Sequence, residues 1–502
     1  MNGKKEFGDY QTPIDFTNKI CNLLLNHKKI QPKTIIEPTC GIGNFLISAQ
    51  IFNADNYYGI EVNEKYCGKA RKNINNNNVQ IINADFFKYD LSKLNQVGPV
   101  LILGNPPWAT NSELSKIDAK NLPNKKNIKQ LNGIEALTGL SNFDICEYML
   151  LKVIEQFQNT DTTIAMLCKT SVARNIYQEI FRRNINFTDF NMYEFDSKKV
   201  FDVNTDACML YIQLTNNKNK KCNCNIYDID NCKKPIKTFG YKNGKMYSDL
   251  SATNEIELFD GKCCFEWRQG IKHDCSKTME LKKDSKKYIN GFDEEVEIEN
   301  TLVYPLIKSS MFKRPIIDSF SKYVIVTQKK VKEDTNYIKT TAPKTWNYLQ
   351  KHLEYFNKRK SSIYKNSPAF SMFGVGDYSY SKYKVGISGF YKKPLFSLIY
   401  SDEKPVMVDD TGYFICFESY KDAYVTMLML NSSKVQKFIE SISFKDSKRP
   451  YTKKVLERLD FSRMCENITF EELKTTEKSL GLENLISKKD YQSFKNMVNM
   501  VV

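Results

Sequence analysis

The residues best suited to chemistry are Asn105-Pro106-Pro107-Trp108. An apolar run, Val100-Leu101-Ile102-Leu103-Gly104, precedes them and predicts a buried strand. The two prolines forbid helix and fix φ, so the strand must end in a stiff loop. That loop offers an Asn side-chain oxygen, the Pro106 carbonyl and an indole. The exocyclic amine of adenine or cytosine is a poor nucleophile, because its lone pair is delocalised into the ring. Two fixed acceptors, one per N–H, favour a more tetrahedral nitrogen with its lone pair aimed at an electrophile. They also stabilise the positive charge that develops there without reorganising. Trp108 could stack on a base turned out of a duplex. Taken alone, the tetrapeptide also fits a proline turn closing a strand.

The elements that must position this loop can be read upstream. Ile35-Ile36-Glu37-Pro38-Thr39-Cys40-Gly41-Ile42-Gly43-Asn44-Phe45-Leu46-Ile47 predicts a short apolar strand, a glycine turn and a helix. The third glycine of a dinucleotide fingerprint is absent, and no Lys-Ser or Lys-Thr follows, so a phosphate-binding loop is not indicated. A glycine loop without phosphate features suits a nucleoside ligand such as S-adenosylmethionine. Tyr57-Tyr58-Gly59-Ile60-Glu61 predicts a second strand ending in a carboxylate, roughly 20 residues on, at the spacing of an acid that accepts from ribose hydroxyls. Val79-Gln80-Ile81-Ile82-Asn83-Ala84-Asp85-Phe86 predicts a third strand ending in Asp85, an acceptor for an adenine amine, with Phe86 as a ring to pack on it. Singly, Glu61 reads equally as a surface acid and Asp85 as a helix cap. Four signals in order, each at a strand's C-terminal end, mark the edge where open α/β sheets bind ligands.

On these motifs the chain resembles the amino-methyltransferases of DNA, specifically the gamma-type adenine-N6 class of type II restriction–modification systems. A further motif of that class is matched by Phe7-Gly8-Asp9-Tyr10-Gln11-Thr12-Pro13, and the likeness covers about residues 7–215. The resemblance implies a Rossmann-like class I S-adenosylmethionine-dependent methyltransferase domain, of α/β class, with S-adenosyl-L-homocysteine as product. It implies that Thr12 and Pro13, with Glu37, Pro38, Thr39, Cys40, Gly41 and Gly43, hold the methionine end of the cofactor. Glu61 would take the ribose, Asp85 and Phe86 the adenine. Asn105, Pro106, Pro107 and Trp108 would form the catalytic loop, with Asn105 also near the cofactor. It implies a target-recognition domain after the catalytic one.

Composition agrees with a nucleic-acid partner. The 502 residues argue for two or three domains, and 41% hydrophobic content is enough for proper cores. Net charge is +16, from 74 Lys+Arg against 58 Asp+Glu, which favours a polyanion such as double-stranded DNA. Richness in Lys, Asn, Ile and Tyr also fits an AT-rich genome. No membrane span or signal core is expected, and 14 cysteines suggest reduced thiols in the cytoplasm, near the nucleoid. Cys222, Cys224, Cys232, Cys263, Cys264, His273 and Cys275 lack paired zinc-ribbon spacing, so no metal is expected.

The catalytic domain is expected to span 1–215, ending after the apolar run Ala207 to Leu214, with 216–502 forming a mixed α+β target-recognition domain. Two segments there suit contact with bases: Trp267-Arg268-Gln269-Gly270-Ile271-Lys272-His273-Asp274-Cys275, and the glycine- and aromatic-rich stretch Phe370 to Tyr380. Basic runs at Lys116–Lys129, Lys218–Lys221, Lys358–Lys365 and Lys445–Lys454 are candidates for phosphate contact, though a single such run is usually a solvated face. The DNA-contact candidates are Lys125, Lys126, Lys169, Arg268, Lys272, Lys448 and Arg449. The polar stretch 109–142 is expected to order around DNA or substrate. Asp144 and Glu147 read as acids opening a helix.

Enzymes that methylate guanine N2 in RNA, or a glutamine amide in protein, carry similar loops, but their extra domain tends to precede the catalytic one. Here the long extension follows it. Cytosine N4 enzymes commonly have Ser in the first position, so Asn105 points to adenine. The expected partner is duplex DNA, alone or together with a cognate endonuclease acting on the same site, with the chain a monomer.

Overall fold

The apolar runs at the chain's start fold as neighbouring parallel strands. The computed structural model describes residues 11–108, 144–217, 223–251, 257–284, 287–483 and 485–501. They divide into two compact units, one ending at Ser251 and the other beginning at Ala252.

In the first unit β1 (Thr34–Glu37), β2 (Asn56–Glu61), β3 (Val79–Asn83) and β4 (Val100–Gly104) run parallel, with β1 between β4 and β2. All of β1 and β4 is buried, as continuous apolar runs without alternation predict for strands covered on both faces. β5 (Thr162–Lys169) adds parallel to β4. β6 (Phe187–Phe195) and β7 (Ala207–Leu214) pair antiparallel, and β7 returns antiparallel to β5. Helices connect the strands: α1 (Ile14–Asn22) precedes β1, α2 (Asn44–Ser48) follows it, α3 (Glu64–Asn73) follows β2, and α4 (Ile145–Phe157) and α5 (Thr170–Arg182) flank β5. Asn63 caps α3 by accepting from the Lys65 N–H, and Asp144 caps α4 by accepting from the Cys146 N–H. This is the Rossmann-like arrangement that the motif order implied.

The domain boundary expected at residue 215 falls after Ser251 instead. β8 (Asn223–Asp228) pairs parallel to β6, and β9 (Lys237–Lys242) and β10 (Lys245–Tyr247) extend the same sheet. Its order is β10-β9-β8-β6-β7-β5-β4-β1-β2-β3. The polar stretch after Leu214 reads as a linker in sequence, but it joins two strands of one sheet.

The second unit mixes strands and helices. A five-stranded sheet has the order Arg268–Gln269, Gly412–Phe417, Tyr383–Ser388, Phe396–Ile399, Ile316–Ile317. A six-stranded sheet has the order Glu295–Val296, Lys287–Ile289, Glu280–Asp284, Lys322–Ile325, Val303–Ile307, Met407–Val408. Helix Tyr420–Asn431, capped by Ser419, buries every residue from Ala423 to Leu430 and acts as a central core element. Among the described residues, no helix is long and apolar enough to cross a membrane.

Candidate active site

Because β1 to β4 are parallel, their C-terminal ends lie along one sheet edge. Glu37 ends β1, Glu61 ends β2, Asp85 follows β3 and Asn105 follows β4. The structure thus brings together the four positions that sequence reasoning had only placed in order.

The glycine turn is held from two sides. Gly41 and Gly43 take left-handed φ values of +52° and +89°, which favour glycine. A Cβ on Gly41 would stand 2.4 Å from Gln11 Oε1. That oxygen accepts from the Ile42 N–H at 3.2 Å, and Asn44 Nδ2 donates to Thr12 O at 2.7 Å. Residues 11–13 therefore clasp the turn. The Glu61 carboxylate straps it to the end of β2: Oε2 accepts from the Gly41 N–H at 2.9 Å and Oε1 from the Asn63 N–H at 2.8 Å. Residues 7–10 of the first motif lie outside the described residues.

Glu37 is the electrostatic centre of this edge. It is only 3% exposed, and its Oε2 has no hydrogen-bond partner among the described residues. Thr39 Oγ1 is likewise buried without one. Burial, and then the negative charge of Glu61, push the Glu37 carboxyl well above the usual carboxylate range, against a lowering contribution from the Leu46 N–H. A buried acceptor this costly calls for a cationic donor. The ammonium of a methionine moiety fits it, so the residues present suit the cofactor implied by the motifs. The Cβ position of Gly104 lies 3.3 Å from Glu37 Cγ, so the catalytic loop departs from beside this carboxyl.

Asp85 folds the next turn. Its Oδ1 accepts from the Phe87 N–H at 2.9 Å, and its carbonyl accepts from the Lys88 and Tyr89 N–H groups at 3.0 and 2.9 Å. Phe86 is buried. From α4, Lys152 Nζ donates to the carbonyls of Phe86, Phe87 (3.1 Å) and Tyr89 (2.8 Å), and stands 4.7 Å above the Phe86 ring. Tyr148, one helical turn earlier, sets its ring against Phe87 at 5.2 Å.

Trp108 is enclosed more than displayed. It is 9% exposed, its Nε1 donates to Leu167 O at 3.4 Å, and its ring meets Phe201 at 5.4 Å and Phe195 at 6.5 Å. Phe16 completes the group at 4.9 Å from Phe195. The indole anchors the loop, and an aromatic wall surrounds it. Lys169, at the end of β5, is held by Asp144 Oδ2 at 3.0 Å. Burial raises the Asp144 carboxyl and Lys169 opposes that. Lys125, Lys126 and the stretch 109–142 lie outside the described residues, as do Lys218–Lys221 and Cys222.

In the second unit the two segments singled out from sequence meet. Lys272 and Phe373 exchange backbone hydrogen bonds at 2.8 Å each. A Cβ on Gly374, whose φ is +69°, would stand 2.4 Å from Gly270 O, so the chains cross where only glycines fit. Arg268 stacks 4.5 Å from the Tyr378 ring and pairs with Glu266. Lys272 lies 3.6 Å from Asp274, and Arg449 lies 3.7 Å from Asp410 and 5.0 Å from the Phe390 ring. Lys448 is exposed. Among the described residues, no three His, Cys, Asp or Glu side chains form a metal-binding group.

A family model described as N-6 DNA Methylase matches residues 1–238. The chain is 41% identical over 474 residues to the type II methyltransferase M.NspV of Nostoc sp., covering 93% of this chain and 98% of that protein. The chain belongs to the N-6 DNA methylases. It is an enzyme that depends on S-adenosylmethionine and methylates N6 of adenine in DNA. The solved structure of the type IIL restriction–modification enzyme MmeI in complex with DNA covers 97% of this chain and 72% of its own, with a TM-score of 0.51 at 14% identity. That likeness is one of fold.

Three features of the methylase's site were not legible in its sequence. Phe195 and Phe201 join Trp108 only through long-range packing, and no local pattern marks them. Lys152 left a faint signal, a cation in a helix whose other residues from Met149 to Ile154 are apolar.

Proposed function

We propose that the first unit transfers the methyl group to a flipped-out adenine within a short recognition sequence of double-stranded DNA. The enzyme serves as the modification partner of a type II restriction–modification system, or as a solitary methylase. The carrying observation is the alignment of Glu37, Glu61, Asp85 and Asn105 at one parallel-sheet edge.

In this reading Glu37 and Thr39, with Thr12 and Pro13 behind the turn, hold the methionine end. Glu61 turns its remaining lone pairs to the ribose, and Asp85 and Phe86 hold the adenine. S-adenosylmethionine supplies an electrophilic methyl on sulfonium and leaves as the neutral thioether S-adenosyl-L-homocysteine. Asn105 Oδ1 and Pro106 O each accept one N6–H of the target, so the nitrogen lone pair faces the methyl for in-line attack. The nitrogen gains a bond and a positive charge, which the same two acceptors stabilise until one proton passes to solvent. Pro107 stiffens the loop, and Trp108 with Phe195 and Phe201 walls the pocket.

The second unit, residues 252–502, reads the target sequence through the crossing segments 267–275 and 370–380, with Lys448 and Arg449 as phosphate contacts. The chain acts as a cytoplasmic, nucleoid-associated monomer, and a cognate endonuclease would recognise the same site. The test is modification-sensitive long-read sequencing of DNA from a methylation-free host expressing the chain. N6-methyladenine in one short context, absent with Asn105→Ala, supports the reading. N4-methylcytosine, or no modification from a protein that binds S-adenosylmethionine, overturns it.

A further inference from the structure

We propose that Lys152 is a positioning residue for the cofactor's adenine, acting by setting the conformation of the turn Asp85–Tyr89. The proposal rests on the reading that Asp85 and Phe86 hold that adenine. The turn has its own short-range bonds, all accepted by Asp85. They leave the carbonyls of Phe86, Phe87 and Tyr89 converging on one point. Three convergent carbonyl dipoles repel one another and, when partly withdrawn from water, each costs free energy if unpaired. A single ammonium with three donors answers all three at once, with charge-assisted bonds.

Lys152 is placed to do so by α4. Its side chain leaves the same helix face as Tyr148, four residues earlier, and both reach the turn. The helix is itself anchored, with Ile145, Cys146, Met149, Leu150, Leu151, Val153 and Ile154 buried. The ammonium thus ties the turn to a helix packed in the core. It also lies over the Phe86 ring, so the ring that packs on adenine and the acid that bonds it are set by one side chain. Among the described residues, no carboxylate forms an ion pair with Lys152. The negative groups that act on it are Asp85 and Asp90, the two acids bracketing the turn.

The role predicts a specific kinetic pattern in the full chain. Lys152→Met keeps the methylene packing and removes the donor. The KM for S-adenosylmethionine should rise about tenfold, with kcat at saturating cofactor and KM for DNA both within about twofold of the parent. Equilibrium affinity for 5′-methylthioadenosine, which has the adenine but no amino acid, should fall by the same factor. Lys152→Arg, which keeps a cationic donor, should recover most of the loss. A merely structural role would lower kcat and both KM terms together, or leave the methylthioadenosine affinity untouched, and either result overturns the proposal. Asp85→Ala separates the two levels. If it weakens S-adenosylmethionine binding while Lys152→Met does not, only the Lys152 role falls. If it changes nothing, the adenine-site reading falls and the proposal with it.

Discussion

The cofactor edge of the first unit and the crossing segments of the second treat their polar groups in opposite ways. At the cofactor edge Glu37 Oε2 and Thr39 Oγ1 are buried and unanswered by the described protein. In the second unit Arg268, Lys272 and Arg449 each stand beside a carboxylate of their own unit. A site for one invariant small molecule can carry a standing electrostatic deficit, because the ligand arrives with the matching group. If the second unit reads DNA as proposed, a surface that scans many wrong sequences gains by keeping its charges occupied until a better partner displaces the internal one. The Arg268 and Lys272 pairs are partly exposed, and solvent-screened pairs contribute only ~0–1 kcal/mol, so exchanging them costs little.

The largest test of that contrast is at the loop between ligand and target. Asn105→Ala should lower turnover on the order of 10²–10³-fold, as removal of a transition-state hydrogen bond does, while S-adenosylmethionine binding changes less than about threefold. Equal loss of both, measured by kinetics and calorimetry, would place Asn105 in cofactor binding instead. Next comes Glu37→Gln. Loss of a charge-assisted bond of ~1.5–3 kcal/mol should weaken S-adenosylmethionine binding roughly 10- to 150-fold.

The same carboxyl gives a pH signature. Its pKa in the folded protein is raised. The contribution of Glu37 to the stability of the ligand-free protein is therefore fullest below the ordinary carboxylate value. That contribution should be lost as pH climbs from there through the raised value, because the folded state must then bury a charge. Thermal melts of ligand-free Glu37→Gln should show a flatter pH dependence across that window. An unchanged slope would remove Glu37 from the account.

Smaller effects should separate the two kinds of basic residue in the second unit. Arg268→Ala should cost ~1–3 kcal/mol at one base position and relax the methylated motif there, seen by long-read sequencing. A uniform loss across sequences would make Arg268 a phosphate contact. Smallest of all, Lys448→Ala should reduce the salt dependence of DNA binding by about one in log–log slope. Arg449→Gln, whose charge is already shared with Asp410, should change it less. Equal slopes for the two would erase the distinction between occupied and open cations.

Legibility in the sequence follows the range of the interactions involved. Strands β1 to β4 could be placed because each is a short apolar run, and the chain between them carries glycines or a carboxylate at the turn. Glu37, Gly41, Gly43, Glu61, Asp85 and Asn105 share one edge because parallel topology converts sequence order into spatial alignment. The missed boundary at 215 had the opposite cause. β8 reads as polar, with Asn223, Asn225 and Asp228 among its residues, and its pairing with β6 and β9 makes it a sheet strand. Phe195, Phe201 and Lys152 were hidden for the same reason, since each acts on a residue more than 60 positions away in sequence or across the sheet. The segments 267–275 and 370–380 stood out by composition, but their crossing at Gly270 and Gly374 is a property of the fold alone.

The unanswered oxygen of Glu37 carries a cost for the catalytic cycle. On the proposed reading, the amino-acid end it would hold is the same in the methyl donor and in the spent thioether, so whatever affinity it contributes is given equally to both. Such a contact tightens occupancy without favouring the forward step. On that reading the spent thioether competes with the donor for the same carboxyl, so removal of the spent form by other reactions becomes part of the enzyme's throughput.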